Sequence, residues 1–461
     1  MKNPKIKYHF CIKSMDDLKE LTHKELLQYI ENLQNNIEQE KPPKNSNNSS
    51  IPTSKEIAPS KKKKNQSLRK ISGKNGGQFG HQGVTLQQSD TPDEIVNITF
   101  DIDSCQKCGY DITNVLKELK EKRQIVDLDL QKTNSKITQY QSYSKECPKC
   151  GFNNHANNYP NFVVPHISYG KNIMAIVSYL SIVHYLSYSR IVSTLQTMYN
   201  ITISEGSVDN LLKKASRLSQ DEIDTIVSQL EFSDVVGIDE TGVRVDGNRY
   251  WHWVFQNNTS TYIVANHSRG AKVIEENFEN GFVKAIVVHD NYSSYNNLIA
   301  NGEQLCLAHK LRDINYAIEC DNTKLMKDMK HLIIEAMNDH KLDLSIQQRK
   351  ILKQQYEQTF KYLLTRPTIP KSETDKQIRS LTKSKDKIFT FLYYQNVPPD
   401  NNGSERAIRN VKVKLKVSGQ FKSFQGAKDY ATLRSIVDTA RKRGLNEFET
   451  IRDVIGGKSV F

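Results

Sequence analysis

Nowhere does the chain approach the roughly 20 consecutive apolar residues that a membrane-crossing helix needs. Its opening residues, Met1-Lys2-Asn3-Pro4, also lack the apolar core of a secretory signal. No membrane association is expected, and the compartment predicted is the cytoplasm. Cysteine is scarce: seven in 461 residues are too few for a disulfide scaffold. Four of them nevertheless fall into two tight pairs, a spacing that speaks for metal instead of bridges. Acidic side chains are the minority sign, with 52 Asp and Glu against 65 Lys and Arg for a net charge of +13, which suits a polyanionic partner such as nucleic acid. The length exceeds one ordinary domain, so roughly two to four compact units are expected.

Residues 15–40 space Leu18, Leu21, Leu26, Leu27, Ile30, Leu33 and Ile37 at near-helical intervals. This predicts an amphipathic helix within a first segment, 1–45, either paired in a short coiled coil or packed on its own domain. Periodicity then disappears. The segment 46–90, with Pro52, Pro59 and the run Lys61, Lys62, Lys63, Lys64, reads as a disordered basic linker able to touch DNA phosphates without reading sequence. Its Gly76–Gly83 run lacks the preceding strand and the Lys-Ser/Thr of a phosphate-cradling loop.

Two near-identical knuckles follow, Cys105-Gln106-Lys107-Cys108-Gly109 and Cys147-Pro148-Lys149-Cys150-Gly151. A two-residue gap lets both thiolates of a pair face one ion, and the glycine lets the chain turn back so that amides point at sulfur. Four thiolates close a tetrahedral shell, which predicts a structural Zn²⁺ in a domain spanning 91–160. Strand-like stretches at 124–130 and 136–143 would return the second knuckle to the first. The helical pattern of 161–230 (173–186, 188–199 and 208–230) admits a helix-turn-helix starting its last helix at Ser204. Few Arg, Asn or Gln side chains on that helix favour a plain connecting bundle.

From Asp234 the pattern becomes β. Val235–Ile238 delivers a carboxylate at Asp239, Val243 and Val245 alternate with charged residues, Asp246-Gly247 supplies hairpin chemistry, and Tyr250–Phe255 and Thr261–Ala265 read as two further strands. A short helix at 270–278, a buried strand at 283–289 ending in Asp290, a helix at 293–299, a strand at 304–307 and a long helical stretch at about 308–392 complete the order. That order is the ribonuclease-H-like one with a helical insertion, here at about 318–395 of a catalytic domain spanning 231–410. In such a fold Asp239 and Asp290 meet at one sheet end. Pro398-Pro399-Asp400-Asn401 stops one helix and caps another that carries Glu405.

Three carboxylates so placed can hold two Mg²⁺ or Mn²⁺ ions for phosphodiester chemistry. Arg406, Arg409, Lys412, Lys414 and Lys416, leading into a basic C-terminal segment at 411–461, offer a surface for a DNA backbone beside them. Cys306 and His309 lack a third group to orient them, so local packing or phosphate contact suits them better than nucleophilic catalysis.

These residues resemble the large transposase of the insertion-sequence-sixty-six family, a group of DDE transposases, along nearly the full chain. The likeness rests on Asn48–Ser54, Gly76–Gly83, both knuckles, Asp239-Glu240-Thr241, Asp290–Tyr295, Cys306-Leu307-Ala308-His309 and Asp400–Arg409. The chain departs from the family pattern at Phe79, where proline is usual, and at Lys414–Gly419. The resemblance implies a triad of Asp239, Asp290 and Glu405 that cuts the ends of a mobile element and joins them to target DNA. It also implies terminal inverted repeats as partners, a homo-oligomer in the active complex, and small accessory proteins of the same element. The alternatives are a related nuclease without strand transfer, and a non-catalytic, domesticated zinc-containing DNA-binding protein whose acids are relics.

Overall fold

The computed structural model describes Thr22 and residues 86–128, 135–160, 163–295 and 298–461. The amphipathic helix expected in 1–45, the lysines Lys61 to Lys64 and the Gly76–Gly83 run lie outside the described residues. The architecture is multidomain α/β with two mixed sheets. By compactness the chain divides into one unit holding 86–306, 345–353 and 386–461, and another holding 307–344 and 354–385.

The first sheet of the larger unit comprises β1 (Glu94–Asn97), β2 (Glu118–Leu128), β3 (Ser135–Glu146), β4 (Asn153–His155) and β5 (Ile167–Tyr169). β2 and β3 are its antiparallel spine, with β1 parallel to β3 and β5 parallel to β2. Helices α1 (Lys171–Ile182), α2 (Tyr188–Tyr199), α3 (Glu205–Leu218) and α4 (Gln220–Glu231) follow. The second sheet holds β6 (Val235–Val245), β7 (Asn248–Gln256), β8 (Thr261–Asn266), β9 (Phe282–His289) and β10 (Ala300–Leu305), with α5 (Lys272–Asn277) between β8 and β9. Its spatial order is β10-β9-β6-β7-β8; β6, β7 and β8 form an antiparallel meander, and β9 and β10 continue it in parallel with β6. The remaining helices are α6 (Leu307–Asp321), α7 (Lys324–Asp339), α8 (Ile346–Leu364), α9 (Glu373–Lys383), α10 (Thr390–Tyr393), α11 (Asn402–Ser418), α12 (Phe424–Lys442) and α13 (Glu447–Ile455).

Strand alternation gives the second sheet two buried faces. Trp253 and Phe255 of β7 pack with α4 and α5, through Ile226, Val273 and Phe278. Val254 faces the other way, with Ile263, onto Ala407 of α11 and Ala431 of α12, whose small side chains let the helices lie close. The edge of β8 is also covered: the Thr261 and Ile263 amides donate to the hydroxyls of Thr439 (3.0 Å) and Ser435 (2.8 Å) on α12. An edge whose amides are satisfied in this way is no template for another strand. The smaller unit is helical. α7 buries Met326, Met329, Ile333 and Ala336, the Asp321 carboxylate accepts the Thr374 amide at 2.6 Å, and the Tyr356 hydroxyl donates to Asp339 at 2.6 Å.

Several elements differ from the sequence expectation. β6 does not stop at Asp239 but runs on to Val245, because antiparallel pairing with β7 continues to a hairpin turn in which Asp246 (φ 46°) and Gly247 (φ 78°) are both left-handed. The single helix expected over 208–230 is two, parted at Ser219, whose hydroxyl donates back to the Ala215 carbonyl at 2.9 Å. The stretch 308–392 is likewise several helices. In place of a helix at 293–299 there is one 3-10 turn, Ser293–Tyr295, held by long-range side-chain bonds described below.

One buried group ties this fold to pH. His252 of β7 is fully buried against the rings of Phe421 and Tyr430, and neither of its ring nitrogens has a hydrogen bond of ordinary geometry. Burial holds it down from 6.5 to about 4, against a weaker opposing effect of the Ala427 backbone. Because the folded value lies below the unfolded one, this contribution is complete above pH ~6.5 and is lost as pH falls toward 4, on the order of 3 kcal/mol. His252→Phe should flatten urea-unfolding stability between those limits. An unchanged slope would show that another group governs the acid side.

Candidate active site

Asp239 and Asp290 are brought together by strand register. β6 and β9 run parallel, with Val235 opposite Ile286, Val236 opposite Val287 and Gly237 opposite Val288. Two residues further along each strand stand the two acids, just past the end of the parallel ladder. The third comes from α11. The Asn401 carboxamide donates to the Ile238 carbonyl at 2.7 Å and accepts from the Ser404 hydroxyl at 2.7 Å, and both side chains are buried. A bolt one residue from Asp239 therefore fixes the helix turn that carries Glu405. It requires Gly237: a Cβ there would lie 2.7 Å from the Asn401 Oδ1 and 2.9 Å from the Ser404 Oγ. Asn401 holds the N-cap position without a side-chain cap bond, and the Asp400 carboxylate before it accepts the first helical amide, that of Asn402, at 3.1 Å.

Electrostatics record the convergence. Burial, and then repulsion from Glu240, Asp290 and Glu405, pushes the Asp239 carboxyl well above the usual carboxylate range. The Glu240 amide, which donates to Asp239 Oδ1 at 2.8 Å, only partly offsets this. Metal-free, burial and mutual repulsion oppose ionisation of Asp239, even with Glu240 paired to Arg269. Hard carboxylate oxygens are the donors that Mg²⁺ or Mn²⁺ takes, although the ligand atoms of Asp239, Asp290 and Glu405 do not all lie within 4.8 Å of one another.

Around the acids is a frame that the sequence alone did not show. Glu240 points to the opposite face from Asp239 and is buried. Its Oε1 accepts from Arg269 Nε (2.7 Å) and Nη2 (2.6 Å), and its Oε2 accepts the Tyr295 hydroxyl. Burial raises the Glu240 carboxyl, while Tyr295 and Arg269 act to lower it. Arg269 also lies over the Tyr292 ring at 3.6 Å, and its carbonyl accepts from the Ser294 hydroxyl at 2.8 Å. The Asp290 carboxylate accepts the Tyr292 amide at 3.0 Å. The side chains of Tyr292, Ser294 and Tyr295 thus tie the loop after Asp290, directly or through Arg269, to the strand that carries Asp239. The Asp-Glu-Thr sequence flagged Glu240 by adjacency, but nothing local marks Arg269.

Behind Asp290, the buried His289 imidazole bonds Glu303 at 2.9 Å, and Lys387 pairs with the same carboxylate at 2.7 Å. Cys306 Sγ accepts the Asn401 amide at 3.2 Å, so this thiol supports the bolt. His309 lies at the start of α6, in the smaller unit. Of the basic residues, Arg406, Arg409 and Lys416 are exposed on α11, Lys412 is half-buried, and Lys414 is buried, with desolvation lowering its ammonium.

The cysteine knuckles form a second centre. β2 and β3 return one to the other, bringing Cys105 Sγ within 3.5 Å of Cys150 Sγ and Cys108 Sγ within 3.6 Å of Cys147 Sγ. All four sulfurs lie within 4.8 Å of one another, a cluster that can hold zinc. Each knuckle closes alike: the Gly109 amide donates to the Cys105 carbonyl and the Gly151 amide to the Cys147 carbonyl, both at 2.8 Å, with the glycines at φ 71° and 66°. Burial opposes ionisation of Cys105, but the Lys107 and Cys108 amides and the neighbouring thiols hold it down to about 6. A thiolate is thus available to an ion.

Acids stand at the end of a mixed sheet, and arginines are exposed on the helix that carries the third of them. The sequence model described as Transposase IS66 family matches residues 166–429, more than half of the chain, and the chain belongs to that family. Membership places it among DNA-processing enzymes and bears out the resemblance read from its motifs. No curated protein matches the chain. Among the described residues, no helix is long and apolar enough to cross a membrane.

Proposed function

We propose that the protein is a DDE transposase that cleaves the ends of an insertion sequence and joins the freed 3′-hydroxyl to target DNA. Asp239, Asp290 and Glu405 act as its metal-binding triad. The observation carrying this reading is that carboxylates from β6, from the end of β9 and from α11 act electrostatically on one another at Asp239. The order β10-β9-β6-β7-β8, a three-stranded meander extended by two parallel strands, supports a ribonuclease-H-like core.

Mg²⁺ or Mn²⁺, when bound, supplies Lewis acidity that activates the attacking oxygen and stabilises the leaving one. The chain's own residues do the rest. Asp239 and Asp290 offer carboxylates from adjacent strands, and Glu405 closes the site from the helix side. Glu240, Arg269 and Tyr295 act as positioning residues by holding the two acid-bearing segments together. Arg406 and Arg409, exposed on α11, take the DNA backbone alongside Glu405. The four cysteines hold a structural Zn²⁺, with no open position for chemistry.

The experiment is strand cleavage with Mg²⁺ on DNA carrying the element's terminal repeats. Asp290→Asn and Glu405→Gln should each abolish nicking, and the parent should give joined products as well as nicks. Nicks without joined products would reduce the protein to a nuclease, and normal cleavage by both variants would overturn the triad.

A further inference from the structure

Along α11 from the acid cluster, within the same unit, lies a cleft of about 550 Å³. Its size is inside the ~300–1,000 Å³ range of pockets that take nucleotide-sized ligands. The turn between β7 and β8 walls it with Asn257 and Asn258, the start of α11 with Asn402 and Arg406, and the end of α12 with Arg441 and Lys442. Its floor is fixed. Lys442 Nζ donates to Gln256 Oε1 at 2.8 Å and to the Ser260 carbonyl at 3.0 Å. The Gln256 carboxamide in turn lies against Gly403, where a Cβ would come within 2.6 Å of it.

The rim is different. Asn258, Asn402 and Arg406 are exposed, and among the described residues their side chains make no ion pair and no hydrogen bond across the cleft. Thr261, which also lines the cleft, is fully buried with a hydroxyl that has no hydrogen-bond partner. Such a group is costly to bury unless something bonds it. The two acids on the walls are engaged, Asp400 by the Asn402 amide and Asp438 by Arg434 at 2.5 Å. What remains on offer is guanidinium and carboxamide, with no aromatic ring among the lining residues. Guanidinium is the chemistry of phosphate recognition, and carboxamides match base edges with a donor and an acceptor each.

We propose that this cleft is a subsite for one unpaired nucleotide of the DNA strand being processed. Its phosphate is held by Arg406, since Arg441 is already paired with Glu447 at 2.5 Å, and its base edge by Asn258 and Asn402. The inference rests on the function proposed above, since Arg406 directly follows Glu405 and a strand lying across the acids runs past the cleft. A volume that fits one nucleotide does not fit a base pair, so the nucleotide next to the reacting phosphate must leave the duplex to enter. An already unpaired base there avoids the unstacking cost.

The test uses the zinc-loaded full chain with no Mg²⁺ or Mn²⁺ added, so that no chemistry occurs, and fluorescence anisotropy with a mixed-sequence DNA oligonucleotide presented single-stranded or as a duplex. Asn402→Trp fills the mouth of the cleft without changing charge. It should weaken single-strand binding about tenfold and leave duplex binding nearly unchanged. Asn258→Trp, on the opposite exposed lip, should reproduce that selective loss and guards against a folding defect in either variant. Arg406→Gln should lower the salt dependence by about one phosphate contact. Parent-like single-strand affinity in both tryptophan variants, or equal losses on both DNA forms, would overturn the subsite. If the parent binds no DNA at all, the function falls with it, whereas failed cleavage with the selective loss intact would sink only the catalytic reading.

Discussion

Asp239→Asn is expected to make the metal-free protein more stable while lowering DNA cleavage by ~10³-fold or more, the scale of several kcal/mol of lost metal-dependent stabilisation. The two effects have one origin. Burial, and then the charges of Glu240, Asp290 and Glu405, lift the proton affinity of this carboxylate well above the unfolded value. A raised acid is neutral in both states at low pH and costs stability as pH rises. The gain from asparagine should therefore be absent in acid and grow toward neutrality, with each kcal/mol relieved raising Tm by ~2–4 °C in a unit of this size. Mg²⁺ titrated into the parent should raise its Tm, and the variant should lose most of that response. Destabilisation by Asp239→Asn in zinc-loaded protein without added Mg²⁺ would mean that the carboxylate is a structural group.

The second large effect concerns the thiolate cluster. Zinc in a closed four-cysteine site contributes ~10–16 kcal/mol to local folding, so chelation or Cys105→Ser with Cys147→Ser should unfold the sheet end that carries the knuckles. The unfolding should have a boundary. Cys105, Ile112 and Cys147 form a small cluster of their own, whereas Val126 and Leu128, at the far end of β2, belong to the large core shared with α1, α3 and α12. Hydrogen exchange should therefore lose protection at 105–112 and 147–156 but keep it at 124–128. Binding to terminal repeats should fail in the same variant, leaving weak, salt-sensitive DNA binding. Zinc-free protein that still prefers the repeat would place recognition elsewhere in the chain.

What could be read in advance had local causes. The strand before Asp239, the strand before Asp290 and the prolines before Glu405 announce themselves by alternation, β-branching and helix-stopping chemistry, and the knuckles by spacing and glycine. What could not be read depends on partners far along the chain. Arg269 becomes part of the acid frame only because Glu240 is buried opposite it. Asn401 looks like a cap and is a bolt, because Ile238 presents a carbonyl to it. The helix expected after Asp290 gives way to a turn because Ser294 and Tyr295 bond Arg269 and Glu240 in preference to continuing a local ladder. Ser219 breaks a periodic pattern that hydrophobic spacing alone carries straight through it.

α11 has a further property, visible when its two ends are taken together. At its start, Asn401 is fastened to β6 at Ile238. Just beyond its end, the Phe421 amide donates to the Arg244 carbonyl at 2.9 Å, and the Asp246 amide donates back to the Phe421 carbonyl at 3.0 Å. The helix is ~25 Å long and the strand from Ile238 to its second pin at Arg244 and Asp246 is ~20–26 Å, by the rise per residue of each. Helix and strand thus form a strut and a rail of matched length, pinned twice. Substitutions on the outer face of α11 leave that match alone. A single inserted or deleted residue does not, since it shifts one pin by 1.5 Å and turns the helix by about 100°. The outer face of this helix can vary, but its length cannot change without swinging Glu405 away from the two aspartates.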